Sequence, residues 1–296
     1  MMSTGRATQP KTEIQLVPAT RQHVPELGRI CYEAFKNIAE SHGFPPDFPS
    51  AGIAENVIGM LIARDDFYSV AALVNGRPVG SNFLSLSDST SGVGPITVDS
   101  SVQGKGIGRA LMQDVIDYAR HNNIQKVRLL QDAFNMGSLS LYTSLGFAVK
   151  DAAALMQAAP GKPDESVRPV LEADLPAIDK LSRRIYKTSR RNEVGVAVAG
   201  GFSPLLRERH GRVVGYYIPG VFGHGVAETE EDALSMIGES ARLLPPEAAL
   251  FFCPLSQAGL YRNALKAGCR AIKIMTIMAM GPYEPPEEVW MPSVLY

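Results

Sequence analysis

The chain reads through one pattern twice. A helical stretch, Gly108 to Arg120, lies over Glu230 to Arg242 without gaps. At the same offset the β-rich run Val127 to Leu130 lies over Ala249 to Phe252, Leu145-Gly146-Phe147 over Ala267-Gly268-Cys269, and Met156 over Met278. Nearer the start, an alternating strand (Glu13 to Val17) precedes a helix-period stretch (Thr20 to Ala39). Val167 to Leu171 and Ala173 to Tyr186 repeat that order, with Leu175-Pro176 and Ile178 matching Val24-Pro25 and Leu27. Self-similarity of this length predicts a duplicated α/β unit of about 140 residues per copy. The expected organisation is a disordered tail over 1–12, a first domain over 13–158, a Pro/Gly linker over 159–166 and a second domain over 167–296.

Composition narrows the function classes. With 45 % apolar and 20 % charged residues among 296, the chain has the makings of two packed cores. Its 29 basic and 30 acidic side chains leave a net charge of −1, so charge alone points to neither nucleic acid nor an anionic membrane. The most apolar run, Ala271 to Met280, is interrupted by Lys273 and is half the length a bilayer span requires. Cys31, Cys253 and Cys269 stand apart, which predicts buried thiols in a reducing compartment. The scattered histidines have no metal-ligand spacing, and no metal is expected. A cytoplasmic location follows from these readings and from an opening stretch without an apolar signal core.

Within the first copy, Tyr68 to Val74 and Pro78 to Leu86 flank Asn75-Gly76, a hairpin signal. The sharpest motif follows. Pro95-Ile96-Thr97-Val98 reads as a strand, and Gln103-Gly104-Lys105-Gly106-Ile107-Gly108-Arg109 as a glycine-rich turn opening a helix. Three glycines in five residues let backbone N–H groups converge on the positive end of a helix dipole, a site for an anion such as a pyrophosphate. A Walker loop would need Ser or Thr after Lys105, where Gly106 stands. A dinucleotide fingerprint would need G-x-G-x-x-G early in the fold, and the spacing here is G-x-G-x-G after several strands.

Gln103-x-x-Gly106-x-Gly108 resembles the Q/R-x-x-G-x-G/A signature of the GNAT superfamily of acyltransferases. The resemblance continues through Asn135 and Leu141-Tyr142-Thr-Ser-Leu145-Gly146-Phe147, and it covers Glu13 to about Met156. It implies an α/β (α+β) fold: two GNAT-like domains, each a mostly antiparallel, splayed mixed sheet flanked by helices. It implies acetyl-CoA as co-substrate, with its pyrophosphate on the backbone of Gln103, Gly104, Lys105, Gly106, Ile107, Gly108 and Arg109. Pantetheine would lie along Ile96, Thr97 and Val98, and Asn135 would bond it directly or through water. Tyr142 would be the general acid for the departing thiolate. Ser100 departs from the family's usual proline and removes no contact group.

The implied reaction is direct acetyl transfer to a primary amine of a small molecule. A non-catalytic acyl-CoA sensor and an acetyltransferase of a protein amine are the alternatives, and a homodimer is compatible with any of them. Glu33, Glu40, His42, Asp88 and Asp99 are open candidates for the base, with Asp99 the most turn-like. In the second copy the gapless offset puts Gly225, Glu228 and Glu230 on Gln103, Gly106 and Gly108, Gln257 on Asn135 and Ala264 on Tyr142. Carboxylates at the helix start repel a pyrophosphate, so this copy is expected not to bind coenzyme A. It is expected instead to pack on the first and help shape the acceptor site. Its Pro/aromatic tail, 281–296, is expected to take part in that packing or to be a plain extended strand.

Overall fold

The computed structural model describes residues 13–296; the tail expected over 1–12 lies outside the described residues. The first half contains β1 (Ile14–Pro18), α1 (Val24–Ser41), α2 (Ala51–Ala63), β2 (Phe67–Val74), β3 (Arg77–Ser85), β4 (Ser91–Gly92), β5 (Thr97–Val98), α3 (Ile107–His121), β6 (Val127–Asp132), α4 (Met136–Ser144) and β7 (Ala148–Gln157). The second contains β8 (Val167–Pro169), α5 (Leu175–Ile185), α6 (Arg191–Ala199), β9 (Leu205–Arg209), β10 (Arg212–Tyr217), β11 (Gly225–Ala227), α7 (Glu230–Leu243), β12 (Leu250–Pro254), α8 (Ala258–Lys266), β13 (Arg270–Met280) and β14 (Val289–Met291). The order recurs, with β4 missing from the second half and β14 added.

Local chemistry explains several boundaries. Asn75 and Gly76 both take positive φ (52° and 76°), the geometry of a two-residue hairpin turn between β2 and β3. His210 and Gly211 repeat it (53° and 69°) between β9 and β10 with a weaker sequence signal. Pro25 and Pro176 stand in the first turns of α1 and α5, where no N–H is needed.

The residues pack into two compact units. One is formed up to Asp65 and by Ser69–Phe83 and Pro95–Asp114, the other by Asp66–Tyr68, Leu84–Gly94 and Val115–Tyr296. The first is built on the sheet β1-β2-β3-β5, with β5 at one edge. Leu27, Ile30 and Cys31 of α1 and Ile58 and Leu61 of α2 are buried in it. The helices approach closely at Gly28, where a Cβ would come within 2.6 Å of Glu55 Cα.

The second unit has two five-stranded sheets, β14-β11-β10-β9-β8 and β12-β7-β13-β6-β4. The latter draws on both halves of the sequence. β13 inserts between β6 and β7, and β7 runs between β12 and β13, all antiparallel. β7, beginning at Ala148, is thus an interior strand. The register is symmetric about the pair Ala153–Met275. Leu129 faces Met278 as Phe251 faces Met156, one constant shift in numbering relating the partners. The stretch expected as a linker is also packed: Gly161 N donates to Gly238 O (3.1 Å), and a Cβ on Gly161 would lie 3.1 Å from Gly238 Cα. Packing therefore does not divide the chain at the repeat boundary.

Candidate functional site

In the first unit the turn leading into α3 is exposed from Gln103 to Gly106, while Ile107, 1 % exposed, anchors the helix start. Gln103 Nε2 donates to Val98 O (3.1 Å), tying the turn to the end of β5. Gly104 and Gly106 adopt φ of +76° and +86° with nothing near where a Cβ would stand. This conformation strains any other residue. Helical bonding starts at Gly106, whose carbonyl accepts from Ala110 N (3.0 Å). The first-turn N–H groups of Ile107 and Gly108 have no acceptor within the helix.

β5 pairs with β3 through Gly80–Val98 and Ser81–Thr97. Gly80 makes the fit possible: a Cβ there would lie 2.5 Å from Thr97 O and 3.2 Å from Leu111 of α3. Asn82, which the sequence reading passed over, donates from Nδ2 to Leu111 O (3.3 Å). Ile96 is half-buried and Thr97 buried. Asp99 caps the turn after β5, accepting from Ser101 N (2.9 Å) and Oγ (2.7 Å) and pairing with Arg77 (2.9 Å) and Arg29 (3.3 Å). Burial alone would raise its carboxyl, but the Ser101 bonds and the two guanidiniums hold it below the usual range.

In the second unit, Asn135 is the N-cap of α4, its Oδ1 accepting from Ser138 N (3.1 Å). Tyr142 is 6 % exposed. Burial pushes its hydroxyl up to about 12, partly offset by a hydrogen bond with Ser138 and reinforced by the nearby Asp132 carboxylate. Asp132 is in turn paired with Lys273 of β13 at 2.7 Å, both side chains 5 % exposed. With its amide turned so that both ends are satisfied, Gln131 donates to Asp132 O (2.8 Å) and Asn135 O (3.2 Å) and accepts from Thr276 Oγ1 (3.2 Å). Strand β13 of the second half thus braces the end of β6 that leads to Asn135 and α4. Lys273 had a visible signal, one charge in an apolar run; its partner did not.

The base candidates are occupied. Glu33 pairs with Arg29 (2.5 Å), Glu40 with Lys36 (3.4 Å), and His42 Nδ1 lies 2.9 Å from Ile38 O. Asp88 accepts from the N–H groups of Asn192 (3.3 Å) and Glu193 (3.2 Å), capping α6, and burial pushes its carboxyl up to about 6. Among the described residues no group of three or more His, Cys, Asp or Glu could hold a metal ion. The three cysteines are buried and free. No helix there is long and apolar enough to cross a membrane.

The corresponding turn of the second half corrects the gapless alignment. Gly225 lies inside β11, which ends at Ala227, and α7 starts at Glu230, so the loop that carries the glycines is missing as well as its sequence. Thr229 Oγ1 caps α7 by accepting from Asp232 N (3.1 Å). The acidic run is balanced by arginines that the sequence reading missed: Glu228 pairs with Arg184 (2.8 Å), Arg209 (3.2 Å) and Arg212, and the fully buried Asp232 with Arg207 (3.2 Å) and Arg209 (3.1 Å).

The glycine turn opens α3 beside the edge strand β5. Residues 31–147 match the model of the acetyltransferase (GNAT) family. A mycothiol acetyltransferase of Renibacterium salmoninarum is 29 % identical over 134 residues, 44 % of this chain and 35 % of that protein. Another, of Nocardiopsis dassonvillei, is 34 % identical over 146 residues, 49 % and 40 % of the two chains. The matches thus span well under half the length of these relatives. An acetyltransferase structure from Pyrococcus horikoshii superposes with a TM-score of 0.75 over 97 % of this chain and 95 % of its own, at 15 % identity. A GCN5-related N-acetyltransferase from Sphaerobacter thermophilus gives 0.62 over 95 % and 100 %, also at 15 %. The fold is therefore shared along nearly the whole chain.

Proposed function

We propose that the chain is an acetyl-CoA-dependent N-acetyltransferase that transfers acetyl directly to a primary amine of a small molecule in the cytoplasm. The carrying observation is the turn at Gly104 and Gly106, whose two positive-φ glycines leave backbone N–H groups open to a diphosphate at the start of α3. Acetyl-CoA supplies an activated thioester. The turn backbone from Gln103 to Arg109 holds its pyrophosphate, and the outer edge of Ile96, Thr97 and Val98, at and before β5, pairs with its pantetheine. Asn135, with Oδ1 committed to the cap, still has its amide N–H to offer. The substrate amine, as the free base, attacks the thioester carbonyl. The tetrahedral intermediate collapses with cleavage of the C–S bond, and the departing thiolate takes the proton of Tyr142; the product nitrogen releases its surplus proton to solvent, from which Tyr142 is reprotonated. Burial suits that role by keeping the hydroxyl protonated across the neutral range.

In this reading the halves are duplicated copies, 13–158 catalytic and 167–296 degenerate. The second contributes β13 and Lys273 as structural support. That two relatives carry the name mycothiol acetyltransferase favours a small acceptor over a protein. The test is to titrate the full chain with coenzyme A, then supply acetyl-CoA with a panel of amines and follow thiol release. Binding without thiol release across small amines and basic peptides would favour the sensor; release with peptides alone would favour the protein acceptor.

A further inference from the structure

The tail of the second half lies where the proposed reading would place a coenzyme arm. β11 and β12 are the counterparts of β5 and β6. β14 runs antiparallel to β11, with Gly225 opposite Met291, Val226 opposite Trp290 and Ala227 opposite Val289, and it lies alongside β12 as well. Both main-chain groups of Trp290 are held by one side chain: Gln257 Nε2 donates to the carbonyl (2.7 Å), and Gln257 Oε1 accepts from the N–H (3.2 Å). Gln257 stands at the head of α8 as Asn135 stands at the head of α4. Its side chain makes no cap bond there, leaving the whole amide for Trp290. Trp290 is 3 % exposed, and its ring anchors the segment against Tyr186 (5.3 Å between ring centres) and Tyr296 (5.9 Å).

We propose that Val289–Met291 is the internal occupant of a disused pantetheine slot in the second half, a reading that rests on the coenzyme assignment of the first. Pantetheine is an extended chain with amide N–H and C=O groups, so a peptide strand can satisfy the same edge of β11 and the same side-chain amide. The slot's ligand class is narrower than that of the first half. α7 follows β11 with no turn for a diphosphate, and Glu230 and Glu231 stand in its first turn. Emptied of β14, the slot takes pantetheine and gains nothing from the phosphates of coenzyme A.

The experiment places a protease site in the exposed stretch at Glu284-Pro285 of the full chain, cuts the folded protein and removes the released segment. Calorimetry with coenzyme A and with pantetheine follows. The uncut chain is expected to take one coenzyme equivalent. The cut chain gains a second pantetheine equivalent, which coenzyme A binds no more tightly and a synthetic peptide of residues 287–296 displaces. A cut chain that stays folded and takes no additional pantetheine overturns the proposal. Should the cut chain unfold, Gln257→Leu in the uncut chain decides. Hydrogen exchange at the Trp290 amide is expected to quicken at least tenfold and to quicken further with millimolar pantetheine; no response to pantetheine overturns the proposal. Failure of the uncut chain to bind any coenzyme A would instead overturn the first-half reading, and the second-half readouts would still stand.

Discussion

At Gly106 the backbone stands at φ +86° with open space beyond it, so any side chain there would project where the proposed diphosphate lies. Gly106→Glu adds a negative charge and a strained residue on an exposed turn. Coenzyme A affinity should fall at least a hundredfold by calorimetry, with the melting temperature within a few degrees of the parent. Tyr142 makes a different prediction. Tyr142→Phe should lower turnover by roughly 10²-fold or more with coenzyme affinity unchanged, the range usual for losing a general acid. Because its hydroxyl titrates only at about 12, the parent's rate should show no alkaline limb from this group below about pH 11. Parent-like turnover in the Phe variant, with chemistry rate-limiting, would assign the proton to another donor.

Asn135 starts helix α4, and its cap can be separated from its amide. Asn135→Ala loses the cap and should cost about 1 kcal/mol in denaturant unfolding. Asn135→Asp keeps the cap and loses the N–H donor, so it should retain stability while weakening coenzyme binding. The α6 start is pH-sensitive. Burial raises the Asp88 carboxyl from 3.8 to about 6, so its contribution is present at low pH and fades as pH rises through 6. His224, whose Nε2 lies 3.0 Å from the Glu193 carboxylate of α6, is the opposite case: burial, helped by Arg190, lowers its imidazole from 6.5 to about 4, so its contribution is present above pH 6.5 and is lost on acidification toward 4. The two oppose each other. Asp88→Asn, which can still cap, should therefore lose stability more steeply than the parent between pH 6.5 and 4. What the sequence disclosed at this scale was local: the Asn75-Gly76 hairpin, the turn from Gln103, the periods of α3 and α7. Alternating apolar residues identify a strand but not its neighbour, so nothing in Ala271 to Met280 announced that β13 lies between β6 and β7. Nor could spacing reveal that Asp88 caps a helix a hundred positions on, or that Gln257 grips Trp290.

For the whole molecule, the shared sheet makes the halves interdependent. Residues 13–158 produced alone leave β6 and β7 without the strand that separates them. They should be insoluble or molten by near-ultraviolet circular dichroism, and co-production with 159–296 should restore a soluble, coenzyme-binding complex. A soluble, cooperatively folding first half would show that β6 and β7 can close on each other. The interleaving also sets a clock for synthesis. When Gln157 has left the ribosome, more than a hundred residues must still be made before Met280, the last of β13, emerges. At about 5–20 residues per second that interval is on the order of 6–25 s. Throughout it β6 and β7 present bare edges to one another and to any nascent neighbour, the state in which strands aggregate. The newborn chain therefore depends on delayed pairing or on a chaperone to shield those edges, and a message truncated in its second half yields a protein with neither half complete.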